Sequence, residues 1–413
     1  MDGCCEEKVH NIHQPYHFPS RMIVPTLIIA LLVSTVSSWT PESGSNRRDF
    51  FKQVATTSTA GWATASGLLT GTEPAMASDA LGGQIQLPPI GLGAWAWGDS
   101  VFWKYDKKND DELEKVFDYA VQESKFSTTL LDTAELYGLG RSESLIGQFS
   151  KNLDATQQDK IQVATKFAAL PFRTKPDDVV KACQASLKRL GRPIDLYQIH
   201  FPNAWSNEEY WDGLAQAYDK GLVKAVGVSN YGVDATRACH AALKKRGIQL
   251  ATNQIQLSLL YRHPLDNGLM ETCQELGVQV LSYSPLGLGM LGGKYTPEKP
   301  PAGPRKSLYE KLLTTPDYEN LLTTMIEVGK AHNDASPAQV AINWTRAKGS
   351  VPIPGARTLS QVKSNYAAAD WSLSPEEIKI LDEASAKVNT FVQPDVSPFP
   401  KKDINTGLVM FDS

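Results

Sequence analysis

From about residue 84 the hydrophobic positions of this chain alternate between two patterns. Short apolar, β-branched runs suit buried strands, and longer stretches with apolar residues every three or four positions suit amphipathic helices. The predicted strands cover residues 86–92, 128–132, 161–166, 196–200, 223–228, 251–256, 278–283 and 351–353. The predicted helices cover 112–124, 143–149, 178–190, 207–220, 234–246, 268–276, 319–332, 338–348 and 359–368, with one more at 374–387. Gly191, Gly221 and Gly247 stop three of them, and Pro337 sits in the first turn of another. A long connection rich in Gly and Pro, residues 285–316, interrupts the rhythm. Strand-like runs each followed by a helix predict an α/β single domain, a (β/α)8 TIM barrel over residues 84–390, with a tail at 391–413. The rival, an open doubly wound sheet, carries Gly-x-Gly-x-x-Gly after an early strand, and none stands there. The Gly-rich run at residues 287–293 follows the seventh strand instead, and reads as a rim loop over a ligand.

Ahead of the barrel the pattern changes. Residues 22–36 are strongly apolar, follow Arg21, and give way to Ser37 and Ser38. The run is too short to span a bilayer comfortably and suits a cleavable signal over 22–38. A second signal follows at 46–77: the twin arginines Arg47 and Arg48, then Phe50 and Phe51, a mildly apolar stretch, and the small-x-small site Ala75-Met76-Ala77. Residues 1–77 therefore read as a bipartite targeting leader, resembling those of algal plastid proteins bound for the thylakoid lumen. A stromal location is the alternative if the twin-arginine part is silent.

Composition narrows the picture. The 413 residues carry a formal net charge of -4 with no charge blocks, which points away from nucleic acid and anionic membranes. Nothing after the leader reads as a membrane span. Of the five cysteines, Cys4 and Cys5 lie in the leader, and Cys183, Cys239 and Cys273 have neither disulfide-framework nor metal-ligand spacing.

The chemistry sits where strands end. Asp132 and Tyr137 lie in LLDTAELYG, Lys166 ends IQVATK and His200 ends DLYQIH. In a parallel barrel those C-terminal ends share one rim, the site of catalysis. Tyr137 is the proton donor this set offers. Lys166 beside it favours the phenolate and is expected to lower its pKa. Asp132 pairs with Lys166, and His200 orients the substrate oxygen. No side chain donates hydride, so the set implies a nicotinamide cofactor. Taken singly, each residue also has an ordinary structural role: a strand-end histidine is usually a satisfied packing residue. Trp95, Trp97, Trp103 and Trp205, with Phe172 and Arg173, are equally open to two readings, as walls of a substrate pocket or as packing.

The segments DTAELYG, ATKFA and LYQIH resemble the tetrad motifs of the aldo-keto reductases. KGLVKAVGVSNY, TNQIQLSLLYR, LSYSPLGLGMLGGKY and PIPGAR…QVKSN resemble the family's other signatures, in the family's order. GLGAWAWGD and IPGAR are similar to plastid-targeted members of plants and algae. The resemblance implies NADPH-dependent reduction of an aldehyde or ketone. It implies that Ser229, Asn230 and Gln254 bond the nicotinamide carboxamide and that Tyr283 stacks on its ring. It also implies that Ser284, Leu286 and Lys294 belong to a loop over the pyrophosphate. Arg357 would pair with a 2′-phosphate at a helix N-terminus, with Gln361 and Asn365 near adenine. Gly355 stands where many members have Lys, with Arg357 supplying the charge. The same fold also serves as a nucleotide-sensing accessory subunit with little turnover, which is the alternative to catalysis.

Overall fold

The computed structural model describes residues 85–388 apart from Pro171, Ala204 and Trp205, together with two short strands of the tail, Lys401–Lys402 and Val409–Met410. The leader signals expected at 22–38 and 46–77 lie outside the described residues.

Eight parallel strands form one sheet in sequence order: β1 (Leu92–Gly93), β2 (Thr129–Asp132), β3 (Ile161–Phe167), β4 (Ile194–Ile199), β5 (Val223–Ser229), β6 (Leu250–Gln256), β7 (Gln279–Tyr283) and β8 (Val351–Pro352). The edges meet: Gly91 N–H donates to the Pro352 carbonyl at 2.9 Å and Gly93 N–H to that of Pro354 at 3.1 Å. This arrangement is consistent with a (β/α)8 barrel. The first strand is far shorter than residues 86–92 because Pro88 and Pro89 have no N–H to give a ladder.

The main helices are α1 (Asp110–Asp118), α2 (Arg141–Ser150), α3 (Pro176–Leu190), α4 (Asn207–Asp219), α5 (Val233–Lys244), α6 (Leu269–Glu275), α7 (Pro316–Ala331), α8 (Pro337–Ala347), α9 (Leu359–Ala367) and α10 (Pro375–Lys387). The helix expected over 112–124 stops its α-helical bonding at Asp118 and continues as wider π turns through Tyr119–Glu123. The long connection after β7 is not structureless. It contains 3-10 turns at Gly287–Gly292 and a short helix, Pro304–Tyr309. Among the described residues no helix is long and apolar enough to cross a membrane.

The period-two alternation of strands positions the site. Leu130, Ala164, Leu196, Ala225, Ala251, Leu281 and Val351, one from each of β2 to β8, form a buried apolar cluster with Ile85 and Ile353. These are the inward residues of the lower barrel. Two positions further along, toward the C-terminal ends, the same inward face carries Asp132 after Leu130, Lys166 after Ala164 and Tyr283 after Leu281. His200 follows Leu196 by two such steps. Gly227 on β5 leaves room for Thr252 and Gln198, whose side chains bond at 3.2 Å; a Cβ there would collide with the Thr252 hydroxyl. Outside the sheet, residues such as Leu131, Val163, Tyr197 and Val226 pack against the helices in the main core.

Candidate active site

Asp132, Lys166, Tyr137 and His200 come from three successive strand ends and meet at one place. Lys166 has no exposed surface. Its Nζ donates to both Asp132 oxygens at 2.9 and 2.7 Å, to the Thr133 carbonyl at 2.9 Å, and to the Tyr137 hydroxyl at 3.3 Å. All the donor capacity of an ammonium is thus spent on acceptors, as a buried cation requires. Gln254 donates from Nε2 to Asp132 Oδ1 at 2.6 Å and so steadies the acid. The Tyr137 and His200 rings stand edge to face, 5.7 Å apart.

Electrostatics sets the protonation of each group. Burial pulls Asp132 and Lys166 toward their neutral forms, raising the first and lowering the second, while their contact opposes the trend. The direct bonds favour the ion pair. Burial, then the Lys166 charge, holds His200 well below the ordinary imidazole range. The ring is therefore neutral at pH 7 and able to donate from one nitrogen. Its Nδ1 is buried without a partner. Tyr137 departs from expectation. The Lys166 contact at 3.3 Å favours the phenolate but does not prevail. Burial, with the negative charge of Asp132 and further acidic neighbours, pushes it well above its ordinary value. The phenol stays protonated at neutral pH.

The residues expected around the nicotinamide form a second ring of bonds beside this cluster. Ser229 Oγ donates to the Gln254 carbonyl at 2.8 Å, and Asn230 Nδ2 to that of His200 at 2.9 Å. Tyr283 OH donates to Asn230 Oδ1 at 2.9 Å. Asn230 and Ser284 both have left-handed backbone, with φ of 66° and 50°. Such conformations in non-glycine residues concentrate at functional sites. Leu286 is half-buried in the core, and Lys294 is exposed with Nζ 5.1 Å from the Tyr295 ring.

At the start of α9, Arg357 and Gln361 line a cavity of about 240 Å³ with Ala96, Tyr105, Glu112 and Thr358; none of the four rim residues lines it. Gln361 Oε1 accepts from the Arg357 N–H at 2.8 Å. Asn365, expected near adenine, lies one turn further along α9 and is buried, its Nδ2 donating toward the Gly355 carbonyl at 3.4 Å.

The tryptophans divide. Trp97 is fully buried, its Nε1 bonded to the Ala356 carbonyl at 2.9 Å and its ring 6.1 Å from that of Phe149. It belongs to the core, which removes it from the substrate wall. Trp95 is half-buried, stacked on Phe102 at 5.1 Å and 6.3 Å from the Tyr137 ring. Trp205 lies outside the described residues. Arg173 is engaged by Glu135 at 2.7 Å, while its neighbour Phe172 is exposed.

Sequence reasoning missed Arg305. This buried guanidinium lies 4.9 Å from the Trp103 ring, and Arg357 lies 5.7 Å from the same ring. Arg305 donates to the Leu288 carbonyl at 3.1 Å and Arg357 to that of Trp103 at 3.1 Å. Arg305 Nε and Trp103 Nε1 are buried without partners. Burial and the charge of Arg305 lower the pKa of Arg357. Two cations and two unmet donors in one place fit an anion such as a nucleotide phosphate.

Fold and site together fit the parallel-barrel class, with an acid, an ammonium, a phenol and an imidazole gathered at its rim. The sequence profile described as the aldo/keto reductase family matches residues 89–386, and the chain belongs to that family. It is 42% identical to the chloroplastic pyridoxal reductase of Arabidopsis thaliana over 318 residues, covering 73% of this chain and 84% of that one. Among solved structures it resembles the glycerol dehydrogenase of Gluconobacter oxydans, with a TM-score of 0.62 and 26% identity, over 74% of this chain and 94% of that one. It also resembles an aldo-keto reductase of Klebsiella pneumoniae solved in complex with NADPH, with a TM-score of 0.56 and 25% identity, over 72% and 90%.

Proposed function

We propose that the protein reduces an aldehyde or ketone to an alcohol with NADPH, Tyr137 giving the proton. The observation that carries this reading is the bonded set Asp132–Lys166–Tyr137 beside a neutral His200 at the strand ends. Tyr137 is held protonated and delivers its hydroxyl proton to the carbonyl oxygen as negative charge builds there. Lys166, fixed by Asp132, stabilises the phenolate left behind. His200 donates a hydrogen bond to the same oxygen and orients it. NADPH supplies the hydride that no side chain can. Ser229, Asn230 and Gln254 are its nicotinamide partners, Tyr283 its stacking ring, and Ser284, Leu286 and Lys294 part of the covering loop. Arg357, Gln361 and Asn365, with Arg305, would hold the phosphate-bearing adenosine end.

The test is NADPH oxidation by residues 78–413 with a panel of aldehydes, alongside Tyr137→Phe. The Arabidopsis relative's name makes pyridoxal the first aldehyde to try. Tight NADPH binding with no turnover of any aldehyde would favour the nucleotide-sensing alternative. For the phosphate end, Arg357→Ala is expected to raise the KM for NADPH about tenfold, the scale of one partly exposed charge-assisted bond. The KM for NADH should hardly move; an equal change in both would remove Arg357 from the 2′-phosphate.

The chloroplastic relative and the leader together support a plastid location, with twin-arginine export to the thylakoid lumen as the finer proposal. A fusion of residues 1–90 to a fluorescent protein should enter the lumen and be blocked there by Arg47→Lys/Arg48→Lys. A diffuse stromal signal unaffected by that change would place the enzyme in the stroma.

A further inference from the structure

One acidic side chain near the rim has no task in the mechanism above. Asp99 is half-buried in the loop after β1. Its Oδ1 accepts N–H bonds from Val101 and Phe102, both at 2.9 Å, a turn that fixes the direction of the carboxylate. Its Oδ2 has no hydrogen-bond or ion-pair partner among the described residues. Loop packing seats it against the Tyr137 segment. Gly138 has φ of 57°, and a Cβ there would lie 2.5 Å from the Gly98 carbonyl. The negative charge of Asp99 reaches the phenol and adds to what keeps it protonated. Trp95, from the same loop, turns a flat ring toward Tyr137, 6.3 Å between centroids. Arg141, which packs on Gly98, is engaged by Asp110 at 2.5 Å and by the Tyr105 hydroxyl at 3.1 Å.

A carboxylate oxygen without a protein partner is a ready acceptor for an N–H donor or a cation. Here the protein supplies donors for one oxygen and leaves the other without a protein partner, on the loop packed against the Tyr137 segment. We propose that Asp99 is a specificity-determining residue whose free oxygen receives a positively charged or N–H-bearing ring on the substrate, with Trp95 as the wall beside it. The substrate class is then an aldehyde carried on a protonated nitrogen heteroaromatic ring, favoured over neutral or anionic rings of the same shape. This rests on the carbonyl-reductase reading and adds to it the charge of the molecule reduced.

The test compares kcat/KM with NADPH for three rings of matched size: the N-methylpyridinium para-aldehyde, para-tolualdehyde and para-carboxybenzaldehyde. Each is measured with the wild type and with Asp99→Asn. Asparagine keeps the Oδ1 acceptor, and hence the turn, while removing the charge. The variant-to-wild-type ratio cancels the unequal intrinsic reactivity of the aldehydes. That ratio should fall about tenfold for the cation, stay within about twofold for the neutral ring, and rise for the anion. In the wild type alone, added salt should shrink the preference for the cation over the neutral ring, a readout independent of how well the variant folds. Equal ratios for all three, or a salt-independent preference, overturn the role of Asp99 and leave the reductase standing. A wild type that turns over none of the three while it reduces other aldehydes also overturns the role of Asp99, and only the absence of turnover with every aldehyde takes both readings down.

Discussion

Tyr137→Phe is expected to lower kcat for carbonyl reduction by about a thousandfold, the scale of a lost general acid. The substitution keeps the ring, so its edge-to-face contact with His200 at 5.7 Å and its approach to Trp95 at 6.3 Å survive. Lys166 loses one acceptor and retains Asp132 and the Thr133 carbonyl. Stability should therefore hardly change, and NADPH affinity should stay close to wild type. Because burial and nearby negative charge raise the phenol, the wild-type rate at saturating aldehyde should show no loss from about pH 6 to about pH 9. A required acid stays protonated below its pKa and fails only as pH rises through it. Single-turnover rates decide the matter. A variant retaining more than about a tenth of the wild-type rate would give the proton to another group.

Lys166→Met should be damaging in a different way. It deletes the cation of a pair with essentially no access to water and leaves the Asp132 carboxylate with Gln254 as its remaining side-chain donor. Stranding a buried charge costs about 3–5 kcal/mol. Removing both charges, as in Asp132→Asn/Lys166→Met, should recover most of that loss, because the uncompensated ion is gone. Neither protein should turn over. Denaturant midpoints of the wild type, the two single variants and the double variant close the cycle. If Lys166→Met proves as stable as the wild type, the pair is not held as ions in the folded protein.

The rim cluster was legible because strands are written with period two. A polar residue at the C-terminal end of a β-branched run, as in IQVATK, stands out against the apolar positions it follows. The direction of the Tyr137 shift was not legible, since burial and the charge of Asp132 outweigh the Lys166 contact, a matter of ångströms. Trp97 was ambiguous for a related reason: the chain leaves β1 at Gly93, so alternation no longer tells inward from outward in the Trp95–Trp97 segment. Arg305 carried no signal. It lies in an aperiodic connection, and its significance comes from meeting Trp103 and Arg357, which are remote in sequence. Asn365 shows the converse limit. Helical spacing placed it one turn from Gln361, but its burial depends on the elements packed against α9, which spacing alone does not give.

The apolar cluster from Ile85 to Ile353 lies beneath this rim like the bottom of a blind well. Its side chains carry no group that relays a proton. On the reduction proposed above, a proton leaving Tyr137 is replaced from the rim side, where aldehyde would enter and alcohol leave. Chemistry and traffic would then share one doorway, with recharging of the tyrosine competing with the departing product.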